Sequence, residues 1–136
     1  MQYYQTKAKT IKGEDFKEVH KIAFRIFLEI KKKSKRKPYI RSAYYDKDKI
    51  FLDFYWEHLF KKENWRDRLR RIKFFAAALE VIRKSNISPL LKQDPNKKDV
   101  LLHRFAGKTS EGKEFFVQIK EFKKNGQKHL ISIFPK

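Results

Sequence analysis

Few residue types in this chain can do chemistry. It has no Cys and only four His among 136 residues, namely His20, His58, His103 and His129. The lack of Cys excludes disulfides and thiolate metal sites. The four imidazoles are scattered and show no zinc spacing. Only four Gly occur, none of them clustered, so there is no Gly-rich phosphate loop. Neither a metal nor a small-molecule cofactor is expected. What remains is imidazole, which exchanges protons near neutral pH, and an abundance of Arg and Lys, which hold phosphate.

That abundance is the dominant property of the chain. Lys and Arg number 35 against 16 Asp and Glu, a formal net charge of +19. Such a surplus repels itself in the folded state, so an acidic partner is expected, and nucleic acid is the commonest one. Six of the seven residues from Lys31 to Lys37 are basic. The tract reads as a solvated helix end, where cations suit the helix dipole, and also as an unspecific electrostatic handle for RNA or DNA. Hydrophobic residues make up 40% and aromatics 15%, enough for a core in one domain spanning residues 1–136. No run approaches membrane-spanning length and the first residues hold no apolar leader segment, which gives the expectation of a soluble, cytoplasmic protein.

The elements that must position these groups follow from periodicity. Phe16, Val19, Ala23, Ile26, Phe27 and Ile30 have helical spacing, and the helix must stop before Pro38. Tyr39–Tyr45 and Lys49–Phe54 read as a hairpin, and 56–61 as a short helix. A longer helix follows from Asn64, with Trp65, Leu69, Ile72, Phe75, Ala76, Leu79 and Ile82 on its apolar side and Arg66, Arg70 and Lys73 as an exposed basic stripe. Residues 90–99 read as a loop. The remainder predicts a meander of three strands near 100–106, 113–122 and 128–134, with Asn125-Gly126 suited to a tight hairpin turn. The expected class is α+β, with helices packed on one face of an antiparallel sheet.

Alternation assigns the faces of that sheet. Phe115, Val117 and Ile119 share one side of the middle strand, opposite Phe116, Gln118, Lys120 and Phe122. In the last strand His129, Ile131 and Ile133 oppose Lys128, Leu130, Ser132 and Phe134 on the same count. If the helices cover the aliphatic side, Gln118, Lys120 and Ser132 lie open. In the first strand His103 and Arg104 point to opposite faces, and alternation leaves open which of them joins the open one. Cationic and polar groups among aromatics on an open sheet make a surface for RNA or nucleotides.

Three stretches resemble the toxin and phage ribonucleases of the barnase–EndoU–colicin–RelE fold group. They are Lys49-Ile50-Phe51-Leu52-Asp53-Phe54-Tyr55-Trp56-Glu57-His58-Leu59, the helix end from Ile82 to Pro89, and the closing strands containing His103-Arg104-Phe105, Phe115–Lys120 and Leu130-Ile131-Ser132-Ile133-Phe134. Many members carry a second His shortly after the first, where this chain has Lys61, Lys62 and Asn64. The resemblance implies metal-independent RNA cleavage, in which the ribose 2′-hydroxyl attacks the adjacent phosphate. It implies His58 or His103 for proton transfer and Arg41, Arg104 and Lys120 for the phosphate. Gln118 joins that phosphate set, and Ser132 positions the reacting groups alongside Lys120.

Each site has a plainer reading beside it. His58 can be a helix histidine bonded to backbone, His103 a structural strand residue, Arg41 one half of an ion pair with Asp53, and Lys120 a solvated lysine. Two other functions use the same surface, a non-catalytic module for RNA or DNA and a toxin-like protein that meets an acidic, antitoxin-like partner.

Overall fold

The computed structural model describes residues 2–61 and 64–136, so Lys62 of the motif above lies outside the described residues. The fold is α+β. In chain order it runs β1 (Tyr4–Gln5), α1 (Phe16–Lys33), β2 (Tyr39–Arg41), β3 (Lys49–Phe51), α2 (Asp53–Phe60), α3 (Trp65–Ile72), α4 (Phe75–Lys84), β4 (Leu90–Gln93), β5 (Val100–Lys108), β6 (Glu114–Phe122) and β7 (Lys128–Pro135).

The expected meander is present as β5, β6 and β7, joined antiparallel. The sheet around it is mixed rather than purely antiparallel. Its seven strands follow the order β1-β5-β6-β7-β3-β2, with β4 also paired to β5. β1 lies parallel to β5, and β3 parallel to β7. The hairpin is therefore not a separate ribbon but an extension of the meander beyond β7. Its strands are shorter than alternation suggested, because Ser42–Asp48 forms a turn in which Asp46 and Lys47 both have positive φ. Residues 90–93, expected as loop, form an exposed strand added to β5.

The long central helix is broken into two. Phe74 and Phe75 are adjacent and both buried. A continuous helix would point them about 100° apart, whereas the break at 73–74 lets Phe74 stack on Phe115 and Phe75 on Tyr55, with ring centroids 5.0 and 5.4 Å apart. The carbonyl of Lys73, freed by the break, accepts the backbone N–H of Ile11 at 2.8 Å. α1 starts at the Asp15 cap and buries Val19, Ala23, Phe27 and Ile30, the stripe its periodicity predicts.

The core lies between the helices and one sheet face. Phe105, Phe115, Val117, Ile119, Leu130, Ile133 and Ile50 enclose it from below, and Leu79, Val81, Ile82, Tyr55 and Leu59 from above. Among the described residues, no helix is long and apolar enough to cross a membrane.

Candidate nucleic-acid interface

The register of the meander decides which side chains share a face. Across β5 and β6, Arg104 pairs with Gln118, Ala106 with Phe116 and Leu102 with Lys120. Across β6 and β7, Gln118 pairs with Ser132 and Phe116 with Phe134. Arg104, Phe116, Gln118, Lys120, Ser132 and Phe134 therefore stand on one face, opposite the core residues Phe105, Val117 and Ile119. Ser132, expected to lie open, is buried at 8% exposure because α3 docks on β7 and Arg71 bonds its hydroxyl, and the other five are half-buried.

A bulge between these pairs corrects the simple alternation of β7. Ile119 is opposite Leu130 while Gln118 is opposite Ser132, so Ile131 is the extra residue. The bulge reverses the sides before it. Leu130 joins the core, and His129 falls on the side of Ser132 rather than on the aliphatic side. His129 is nonetheless buried there, because Phe54 of α2 stacks on it at 4.2 Å. Burial lowers its pKa, partly opposed by the nearby carboxylate of Asp53, and its Nδ1 has no hydrogen-bond partner among the described residues.

Two guanidiniums frame the centre of the face. Arg104 donates from Nη2 and Nε to Oε1 of Gln118 at 3.2 and 3.4 Å. Arg71, on α3, donates from Nη1 to the Ser132 hydroxyl at 3.2 Å and from Nε to Oδ2 of Asp67 at 2.9 Å. Both lie over the ring of Phe134, at 5.2 Å for Arg104 and 5.7 Å for Arg71. Burial raises the Asp67 pKa, but hydrogen bonds from Arg70 and Arg71 outweigh it and leave the carboxyl below its ordinary value. Asp67 is thereby kept ionised and anchors Arg71. Lys120 is half-buried on the same face, with Nζ 5.2 Å from the ring of Phe122. Beyond Arg104 a pocket of about 380 Å³ opens between Phe116, Ala106 and the Ile87–Leu90 segment. An aromatic ring, aliphatic walls and one guanidinium at its mouth match what a nucleobase beside a phosphate needs.

The expected proton-transfer residues separate. His58, half-buried on α2, borders a cavity of about 10 Å³ with Arg71, Ser132 and Tyr55. That space is too small for a phosphate and near the size of one water. His103 points the other way, into the covered side. It receives a short hydrogen bond at Nδ1 from the Tyr45 hydroxyl, and its Nε2 lies 2.7 Å from Oε1 of Glu121. Burial lowers its pKa more than Glu121 raises it, so the imidazole is neutral, with Nε2–H donating to Glu121. His103 and Arg104 thus serve opposite faces, and Arg104 is the one on the open face. Arg41 is four strand steps from Arg104, roughly 19 Å across the sheet. There it donates to the Lys47 carbonyl at 3.0 Å and packs over Tyr39. It stands apart from the Arg71–Arg104 pair and from Asp53.

Arg71 is the residue that sequence reasoning passed over. Its spacing from Asp67 marks it in the sequence only as half of an i,i+4 ion pair on a helix. Its position next to Ile72, at the margin of the apolar stripe, was the available signal that it faces the sheet. Among the described residues, no three His, Asp or Glu side chains stand together as metal ligands. No known protein family, no curated protein and no solved structure matches this chain.

Proposed function

We propose that the protein binds single-stranded RNA across the open face of its sheet and cleaves the backbone there without calling on a metal ion. The observation that carries this reading is the pair Arg71 and Arg104, each tied to a polar neighbour and both set over Phe134. Two oriented guanidiniums beside the half-buried rings of Phe116 and Phe134 suit a phosphodiester with a stacked base. They also stabilise the extra negative charge that develops when the ribose 2′-hydroxyl attacks phosphorus and the 5′-oxygen leaves.

In this reading Ser132 and Gln118 orient the two arginines, and Lys120 contributes a third positive charge along β6. His58 is on the inner side of Ser132, in the cavity they share with Arg71. Proton transfer passes between His58 and the reacting oxygens through the Ser132 hydroxyl. The products are a 2′,3′-cyclic phosphate and a free 5′-hydroxyl.

The test is incubation of a short oligoribonucleotide with the protein in excess EDTA. The expected result is cleavage leaving a cyclic phosphate, lost in Arg104→Gln and in Ser132→Ala while the melting temperature falls by only a few degrees. Salt-sensitive binding of intact RNA by the wild type would leave the face a binding module. Activity that vanishes in EDTA and returns with a divalent cation would refute the mechanism.

A further inference from the structure

Beside the open face, past its Phe116–Phe134 end, lies a second concavity of about 480 Å³. Arg66, Arg70, Lys73, Lys113 and Lys136 border it, with Glu114 the only carboxylate among the described lining residues. Lys136 is bound to Glu114 at 3.1 Å and Arg70 to Asp67 at 2.8 Å. Among the described residues, no ion pair joins Arg66, Lys73 or Lys113 to a carboxylate. Three positive charges thus border one groove with no direct ion pair among the described residues, although the Glu111 carboxylate lies within electrostatic reach of Lys113.

The fold does not need them there. Arg66 is the second residue of α3, whose Asn64 cap accepts its backbone N–H, and a cation in the first turn opposes the helix dipole. Its guanidinium lies over Trp65, with Cζ 5.5 Å from the ring centroid, and that indole is 48% exposed. An exposed indole in contact with one of the groove's cations favours a nucleic acid over an acidic protein, since bases stack on such a ring while the cations hold phosphates.

The groove also continues the open face. Pro135 and Lys136 follow Phe134 directly, and Glu114 precedes Phe116 by two residues on the same side of β6. Arg70 lines the groove while Arg71, the next residue of α3, reaches the open face. Residues two apart on a strand are about 6.6 Å apart, comparable to successive phosphates of an extended single strand.

We infer that this groove is a subsite for the RNA chain flanking the bond at Arg71 and Arg104, holding two or more further phosphates. The inference rests on the RNA reading above and deepens it: the substrate is a strand several nucleotides long, not a mononucleotide or dinucleotide.

The experiment compares wild type with Arg66→Gln/Lys113→Gln, both exposed positions away from the arginine pair. Binding of a fluorescent twelve-nucleotide 2′-O-methyl RNA is measured across a salt series, and cleavage of a dinucleotide is measured in parallel. The expected result is roughly tenfold weaker binding of the twelve-mer at low salt, and a salt slope shallower by about 1.4. The dinucleotide is processed at the wild-type rate. Unchanged twelve-mer affinity would overturn the groove while leaving the open face intact, and so would an equal loss on both lengths. Wild-type protein that ignores the twelve-mer but binds a poly-glutamate peptide would overturn both and assign the surface to an acidic protein. Twelve-mer binding lost in the double variant, with no cleavage by either protein, would support the groove and refute the cleavage step alone.

Discussion

Replacing Arg71 with Met separates structure from chemistry at the centre of the open face. The side chain is 19% exposed and Asp67 is 25% exposed. Removing the guanidinium breaks a charge-assisted bond to Asp67 at 2.9 Å and a bond to Ser132 at 3.2 Å. The first is of a kind that contributes about 1.5–3 kcal/mol when buried, and partial exposure brings it toward the lower end. Ser132 can turn its hydroxyl to another partner, and Met preserves the apolar stem over Phe134. A net loss of about 1–2 kcal/mol is expected, which lowers Tm by roughly 4–8 °C in a domain of this size. A domain stable by about 5–15 kcal/mol remains almost wholly folded after that loss.

Cleavage should fall much further. A preorganised donor aimed at developing phosphate charge contributes about 10²- to 10³-fold in rate, and unfolding of a small fraction of molecules cannot reproduce that. The assay is single-turnover cleavage of an oligoribonucleotide in EDTA, with calorimetry on the same samples. Asp67→Asn is the companion variant, because it removes the anchor while leaving the charge. It should lose similar stability but less activity. The reasoning fails if Arg71→Met lowers Tm as stated yet cleaves within twofold of wild type, for then the guanidinium only braces α3 against β7.

Other expectations follow from the same geometry. Phe134→Leu removes the ring shared by the two arginines and should weaken RNA binding by roughly tenfold or more, since a stacked base contributes about 1–3 kcal/mol; a binding titration against 2′-O-methyl RNA reads it. Glu121→Ala leaves the buried His103 Nε2–H without an acceptor and should cost about 1–3 kcal/mol, measured by urea denaturation, whereas Glu121→Gln should retain most of it. Because the folded pKa of His103 lies below its ordinary 6.5, the unfolded chain takes up protons first as pH falls. Its contribution to stability is therefore complete above about pH 6.5 and declines below it, and His103→Phe should flatten that part of the profile. The carboxyl of Asp67 is shifted down from 3.8, so its contribution is complete above that value and is lost as pH falls further. Gly107→Ala would set a Cβ 2.6 Å from Cζ of Phe115 and 2.9 Å from Cγ2 of Val81. This overpacking should cost about 1–3 kcal/mol, read as a lower urea midpoint.

What could be read from the sequence was what depends on local period. The α1 stripe, the three long strands and the sidedness of β6 all follow from alternation or helical spacing, and Gln118 and Lys120 stand opposite Val117 and Ile119 as that rule requires. Ser132 shares the side of Gln118 as alternation requires, but it is buried rather than open, and the same rule failed for Leu130 and His129, because no local signal marked Ile131 as a bulge. The parallel pairing of β3 with β7 joins residues near 50 to residues near 128 and is invisible to any window of adjacent residues. The helix break at 73–74 exists because two neighbouring phenylalanines each found a partner from elsewhere, Phe115 and Tyr55. Arg71 was hidden for the same reason. Its i,i+4 partner was plain, but its contact with Ser132 depends on where α3 docks. The choice between His103 and Arg104 turned on which face the helices cover, and tertiary packing settled it.

The most direct test of the central claim is NMR mapping of a 2′-O-methyl tetranucleotide titrated into labelled protein. The account predicts that perturbed resonances cluster on Arg71, Arg104, Phe116, Gln118, Ser132 and Phe134, while Tyr45, His103 and Glu121 behind the sheet stay fixed. Shifts confined to the Lys31–Lys37 tract, or none at saturating RNA, would contradict it.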